Sequence, residues 1–154
     1  MSPLPFESLD PAFEPRVRAS FGKQAAMATL GARLLGVEAG RVVIELPFAP
    51  HITQQHGFVH GGVMAAVLDS ACGYAASTLM APDAGVLSIE FKVNMLAPAQ
   101  GERFRMVGEV VKPGRTITVT EAKAYAIDPQ GREKLVATMG ATMMVVRGRD
   151  GIKH

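Results

Sequence analysis

Apolar and polar residues alternate along the second half of the chain and recur at helical spacing in parts of the first. Residues 86–95 show the alternation most clearly. Leu87, Ile89, Phe91, Val93 and Met95 fall on one side of an extended strand, and Ser88, Glu90, Lys92 and Asn94 on the other. Strand-like stretches follow at 103–111, 116–127 and 134–146. The runs Ala97-Pro98-Ala99-Gln100-Gly101, Lys112-Pro113-Gly114-Arg115 and Asp128-Pro129-Gln130-Gly131 turn the chain between them. Upstream, residues 29–38 and 41–47 form β-like runs joined at Ala39-Gly40, a hairpin whose second arm carries Val42, Val43, Ile44 and Leu46.

Two helices complete the pattern. Phe13, Val17 and Phe21 recur at i, i+4 and i+8, with Asp10 as cap, Pro11 at the first helical position and Gly22 at the end. Gly61-Gly62 opens a longer helix that runs to about residue 80, ahead of Pro82. At ~1.5 Å per residue it is roughly 25–30 Å long. The order predicts an α+β domain in which an antiparallel sheet wraps one long helix. The sheet's other face or its edge then needs cover, which points to subunit association. The divisions are an N-terminal helical segment at 1–28 packing on the domain, the domain at 29–147, and a frayed polar tail at 148–154.

Composition narrows the classes. The chain has 154 residues, 48% of them hydrophobic, which suits one domain with a real core. Sixteen Lys and Arg against 14 Asp and Glu give +2, and the basic residues are scattered, so no nucleic-acid partner is expected. One cysteine excludes an internal disulfide and a Cys-based zinc site. The start Met1-Ser2-Pro3-Leu4-Pro5-Phe6-Glu7 lacks a basic and then apolar leader. No segment reads as a membrane span. The expected setting is cytoplasmic.

Asp69 is the only formally charged residue between Glu45 and Asp83, and it sits inside the long helix. A carboxylate among apolar neighbours loses hydration unless something specific compensates it. Its helical neighbours Gly62, Ala65, Ala66, Cys72, Gly73 and Ala76 are all small, so something approaches closely there. Upstream lies His56-Gly57-Phe58-Val59-His60-Gly61-Gly62. The first N–H groups of a helix lack internal partners and carry the positive end of its dipole. Glycine lets a ligand reach that backbone. Donors there polarise a carbonyl, and a carboxylate about two turns further in activates water or attacks.

The chain resembles the hotdog-fold acyl-CoA thioesterases of the phenylacetate-pathway (PaaI-like) subgroup. The match rests on Gln54-Gln55-His56-Gly57-Phe58-Val59-His60-Gly61-Gly62, on Asp69 nine residues after His60, on Gly73, and on the block from Ser88 to Ala99. The resemblance implies that Asp69 is the catalytic carboxylate and Gly61 the backbone donor to the thioester carbonyl. It implies that His60 supports that loop, and that Ser88 orients water from the neighbouring subunit. Gln54 stands where many relatives carry Asn. Gly62 and Asn94, in the two matching blocks, are candidate substrate-binding positions. The family also implies an acyl-CoA substrate, no cofactor beyond the coenzyme A of that substrate, and a homodimer or homotetramer with its sites at the subunit interface.

Other readings stand beside these. Lys112-Pro113-Gly114-Arg115 is first a β-turn, and its two cations also suit the phosphates of coenzyme A. His51, His56 and His60 with Asp69 form no metal set, because the glycines keep His56 and His60 off a shared helical face. Cys72 reads as packing, since a nearby carboxylate raises a thiol pKa. The alternatives to hydrolysis are a hotdog hydratase or dehydratase, and a non-catalytic acyl-CoA-binding protein.

Overall fold

The structure is a computed structural model and describes residues 5–152; residues 1–4 and 153–154, the ends of the N-terminal segment and of the tail, lie outside the described residues. Two short helices, α1 (Phe13–Gly22) and α2 (Ala25–Leu30), precede a hairpin of β1 (Arg33–Glu38) and β2 (Arg41–Pro47). A 3-10 turn at Pro50–Ile52 leads into the long helix α3 (Gly61–Ser77). The meander β3 (Gly85–Met95), β4 (Arg103–Lys112), β5 (Ile117–Ile127) and β6 (Glu133–Val146) follows. The strands form one antiparallel sheet in the order β1-β2-β4-β5-β6-β3, so β1 and β3 are its edges. This is the α+β hotdog fold, with the sheet wrapped around α3. No helix among the described residues is long and apolar enough to cross a membrane.

The sheet seals one side of α3. Met64, Val67, Leu68, Ala71, Cys72 and Ala75 are buried against it, whereas Ala65, Ala66, Asp69 and Gly73 keep partial exposure. Cys72 and Ala76, grouped by spacing with the small face around Asp69, are turned into the core. The helix lies tightest on β4. A Cβ at Gly108 would sit 2.3 Å from the carbonyl oxygen of Ala71, a distance no side chain tolerates.

The sequence departs from the structure at its first helix. Asp10 does not cap α1, whose N-cap is Ala12. Instead Asp10 Oδ1 accepts from the Ala12 N–H at 2.9 Å, and its Oδ2 accepts from Arg16 Nε at 2.7 Å. Arg16 then donates to Ser77 Oγ at 3.1 Å, to the Ser77 carbonyl at 3.0 Å and to the Met80 carbonyl at 3.2 Å. These carbonyls lie at and just beyond the end of α3, where the Ser77 carbonyl also accepts from the Met80 N–H at 3.1 Å. A cation suits that end of the dipole. The segment 29–38 also splits: α2 ends at Leu30, and the strand begins only at Arg33. Gly31, at φ 78°, makes the left-handed stop between them.

Edge strand β3 holds a second departure. Its register with β6 shifts between Ser88 and Glu90, so Ile89 is the extra residue of a bulge. Ser88 pairs with Met143, which is buried on the helix side. Glu90 pairs with Thr142 and accepts its hydroxyl hydrogen bond on the opposite face. The bulge thus separates Ser88 from Glu90, Lys92 and Asn94, with which simple alternation grouped it, and turns it toward α3. Beyond β6 the chain returns to this strand, for Ile152 packs over Gly85.

The Arg16 clasp predicts two outcomes. Arg16→Ala removes a charged donor from the Ser77 and Met80 carbonyls and from Ser77 Oγ, and lowers Tm by about 5–10 °C, the shift for roughly 2–3 kcal/mol in a domain of this size. The Arg16 guanidinium and the Ala12 N–H hold the Asp10 carboxyl below its ordinary value of 3.8. Its folded-state pKa is therefore below its unfolded one. Its contribution is fully present above the ordinary carboxylate range and is lost as pH falls through the lowered value. Thermal melts from pH 6 downward will show a smaller acid-induced fall in Tm for Asp10→Asn than for wild type.

Candidate active site

The helix N-terminus builds one half of the site. His60 is the N-cap of α3, and its Nδ1 accepts from the Gly62 N–H at 2.8 Å. Because Nδ1 is the acceptor, the neutral ring carries its proton on Nε2, at the exposed side. Gly62 is needed for this fold-back, since a Cβ there would stand 3.0 Å from the His60 ring. The Gly62 N–H is thereby committed to His60 rather than to a ligand. The Gly61 N–H, at the first helical position, has no intrahelical acceptor and none elsewhere among the described residues. Gln54 organises the loop before it. Its Oε1 accepts from the N–H groups of His56 and Phe58, and its own backbone pairs with Phe58 and Gly57. The carboxamide oxygen is thus spent on the loop. Gln54, Gly61, Met64 and Met95 line a cavity of about 350 Å³.

The second half lies two turns along. Ser88 Oγ donates to Asp69 Oδ1 at 2.7 Å. Met143 Sδ is also within 3.4 Å of Ser88 Oγ, but a hydroxyl has one proton and the carboxylate is the stronger acceptor. Oδ1 is held, and Oδ2 has no hydrogen-bond partner among the described residues. Ser88 thus meets the Asp69 of its own chain, whereas the resemblance implied a Ser88 from the neighbouring subunit. The bulge at Ile89 is what aims it there. Asp69 and Ser88 line a separate cavity of about 240 Å³ together with Gln24, Ser70, Gly73 and Tyr74.

The two halves do not meet within one chain. Gly61 and Asp69 are eight residues apart on a single helix, roughly 12 Å along its axis. One carbonyl cannot touch both in this chain alone. The sequence expectation of donors and carboxylate acting on one group therefore requires halves from two copies.

The remaining expected residues scatter. Asn94 donates to Thr138 Oγ1 at 3.4 Å on the face of the sheet away from α3 and is not part of either half. Lys112 ends β4 as an exposed residue outside both cavities. Arg115 lines a third cavity, of about 530 Å³, at the C-terminal end of α3, with Arg147 beside it and Ala76 and Met80 among its apolar lining. Cys72 is fully buried. Burial pushes its thiol up to about 12, against a hydrogen bond with Thr120, and the charge of Asp69 adds to the rise. No cluster of three or more metal-ligating side chains occurs among the described residues.

Sequence reading missed Gln24, Ser70, Tyr74 and Arg147. Ser70 and Tyr74 sit in the same helix as Asp69, so their position one and five residues on was a usable signal. Gln24 carried none, since it stands between two helices whose packing only the tertiary structure sets.

Comparison with known proteins gives the family. Residues 56–132, half of the chain, match the Thioesterase superfamily. A thioesterase family protein from Silicibacter pomeroyi is 54% identical, superimposes with a TM-score of 0.86, and is covered over 99% of its length by 88% of this chain. A 1,4-dihydroxy-2-naphthoyl-CoA hydrolase of Listeria monocytogenes is 28% identical over 79% of this chain and 95% of its own. A Saccharolobus solfataricus protein named as a candidate esterase is 33% identical over 60% of this chain, which spans 65% of that protein's length. The chain belongs to the thioesterase superfamily.

Proposed function

We propose that the protein hydrolyses an acyl- or aryl-acyl-CoA thioester to the free acid and coenzyme A, at a site shared by two copies of the chain. The observation that carries this reading is the pairing of a held carboxylate, Asp69 with Ser88, with an uncommitted helix-terminal donor, the Gly61 N–H. The thioester carbonyl oxygen accepts from Gly61 and gains negative charge as the carbonyl is attacked. Oδ2 of Asp69 either removes a proton from the attacking water or adds to the carbonyl itself, and coenzyme A leaves as its thiolate. No metal or cofactor is needed for so activated an acyl group. The motif order from Gln54 to Asp69 supports the PaaI-like subgroup, and the cytoplasm suits a coenzyme A substrate.

Edge strand β3 supports the sharing. It exposes eleven residues of unpaired edge with Leu87, Ile89, Phe91 and Met95 among its exposed apolar side chains. Such an edge pairs with another chain unless it is covered. Antiparallel pairing of β3 with its own copy, about a two-fold axis near Phe91 and Lys92, sets Ser88 of one chain opposite Met95 of the other. Met95 is the residue beside Gly61, within 3.4 Å of where a Cβ there would be. The dyad therefore carries one copy's Gly61 to the other copy's Asp69. Arg115 and Arg147 on the rim of the larger cavity suit the phosphates of coenzyme A, further along α3 from the carboxylate.

Complementation between two variants tests the site. Gly61→Pro deletes the donor while placing proline where helices accept it, after a His60 already at φ −60° and ψ 136°. Its kcat falls about 10²–10³-fold, as for loss of one oxyanion donor. Asp69→Asn loses activity at least as severely. Mixed oligomers of the two regain thiol release, because each heterodimer holds one intact site. Absence of recovery in verified heterodimers rules out the shared site, and full activity of Asp69→Asn removes the carboxylate from its role. Loss of enoyl-CoA absorbance without thiol release identifies a hydratase instead.

A further inference from the structure

The cavity beside Asp69 has a polar corner built by a residue from ahead of α2. Ser70, the residue after Asp69, is 6% exposed, and its hydroxyl lies 3.1 Å from Gln24 Nε2 and 3.3 Å from Gln24 Oε1. Gln24 is the N-cap of α2 yet makes no side-chain bond to its own helix. Its amide crosses to α3 instead. One amide cannot aim both an N–H and a carbonyl lone pair at the same oxygen with good geometry, and the shorter contact is the one from Nε2. Ser70 then accepts from Nε2, and Oε1 keeps its lone pairs for the cavity that Gln24 lines. Asp69 Oδ2 is a second acceptor there, because the Ser88 proton goes to Oδ1.

Two acceptors that face one cavity need donors between them. Among the described residues no Lys or Arg lines it, and the Tyr74 phenol on its wall lies 3.3 Å from Ser20 Oγ. Water brings two protons to such a gap. We infer that Gln24 holds the hydrolytic water against Asp69: Gln24 Oε1 accepts one water proton, Asp69 Oδ2 accepts the other, and Ser70 keeps the amide in the orientation this requires. The inference rests on Asp69 being the hydrolytic centre, and it makes water, not the carboxylate, the group that attacks. With both its protons held, the water turns a lone pair toward the thioester carbonyl. Its oxygen bonds to the carbonyl carbon as one proton passes to Oδ2. The C–S bond then breaks, and the coenzyme A thiolate takes that proton as it leaves, which restores the Asp69 anion. The second water proton stays with the new carboxyl group. Gln24 thus touches the reacting water and is a catalytic residue, whereas Ser70 acts through the amide and is a positioning residue.

The test assays the full-length protein on benzoyl-, phenylacetyl- and octanoyl-CoA and follows the substrate turned over fastest. Gln24→Leu loses the acceptor, and its kcat falls about 10–100-fold while KM stays within about twofold, the split expected when a group acts on the attacking water and not on substrate binding. Ser70→Ala lets the amide turn and lowers kcat by about three- to tenfold at the same KM, the scale of one hydrogen bond. It removes a single oxygen in favour of a better helix former, so it reads the split even where Gln24→Leu fails to fold. A single turnover in oxygen-18 water, with protein in excess over substrate, places the label in the free acid and leaves no acyl mass on Asp69. An unlabelled acid or an acyl adduct on Asp69 overturns the inference and leaves hydrolysis standing. So does an unchanged kcat in either folded variant, or a loss carried by KM alone. Thiol release from no panel member overturns the hydrolytic reading itself.

Discussion

The backbone of α3 rests on the backbone of β4, and everything else is arranged around that contact. The missing side chain at Gly108 lets Ala71 come to within a distance that any Cβ would forbid. The helix is accordingly built from alanine and other small residues where it is tightest, with Met64, Val67 and Leu68 filling the space on either side. Close approach raises dispersion contact and excludes water. It also brings both ends of α3 within reach of other elements: the 54–60 loop caps its start, and Arg16 satisfies its last carbonyls.

A sheet wrapped around a helix leaves one strip of the helix uncovered. Here the strip carries Ala65, Ala66, Asp69 and Gly73, and the adjoining sheet edge is β3. The candidate site groups are positioned by devices that do not alter the core. A bulge in β3 turns Ser88 toward Asp69, and a histidine folded back on its own helix consumes the Gly62 N–H and leaves Gly61 uncommitted. Straight helix geometry separates the carboxylate from the donor. The same rigidity underlies the proposal that the two halves come from two copies.

Most elements were legible because their signal is local. The alternation in 103–111, 116–127 and 134–146 marks strands whose inner residues, such as Phe104, Met106, Ala122, Ala124 and Met139, are buried. The Gly61-Gly62 opening fixed the start of α3. The reading of β3 failed at Ile89, since a bulge arises from pairing with β6 and leaves no mark in the strand's own composition. Asp10 was misplaced as a cap for a similar reason. Its side chain accepts from Ala12 and Arg16 in a turn ahead of the helix, and the guanidinium it holds serves the far end of α3.

The candidate residues of the site were likewise visible in the chain. A lone carboxylate in an apolar helix and a glycine pair after His60 mark the candidate site, because charge and backbone access are properties of residue type and spacing. Distances between those groups are not. Eight residues of helix become about 12 Å only once the segment is known to be one straight helix. Only the packed structure shows that Ser88 joins Asp69 in the same chain and that Gln24 crosses from α2 to Ser70. These contacts span 19 and 46 residues of sequence. Such contacts depend on how the sheet curls and where the helices dock, and no local pattern encodes that.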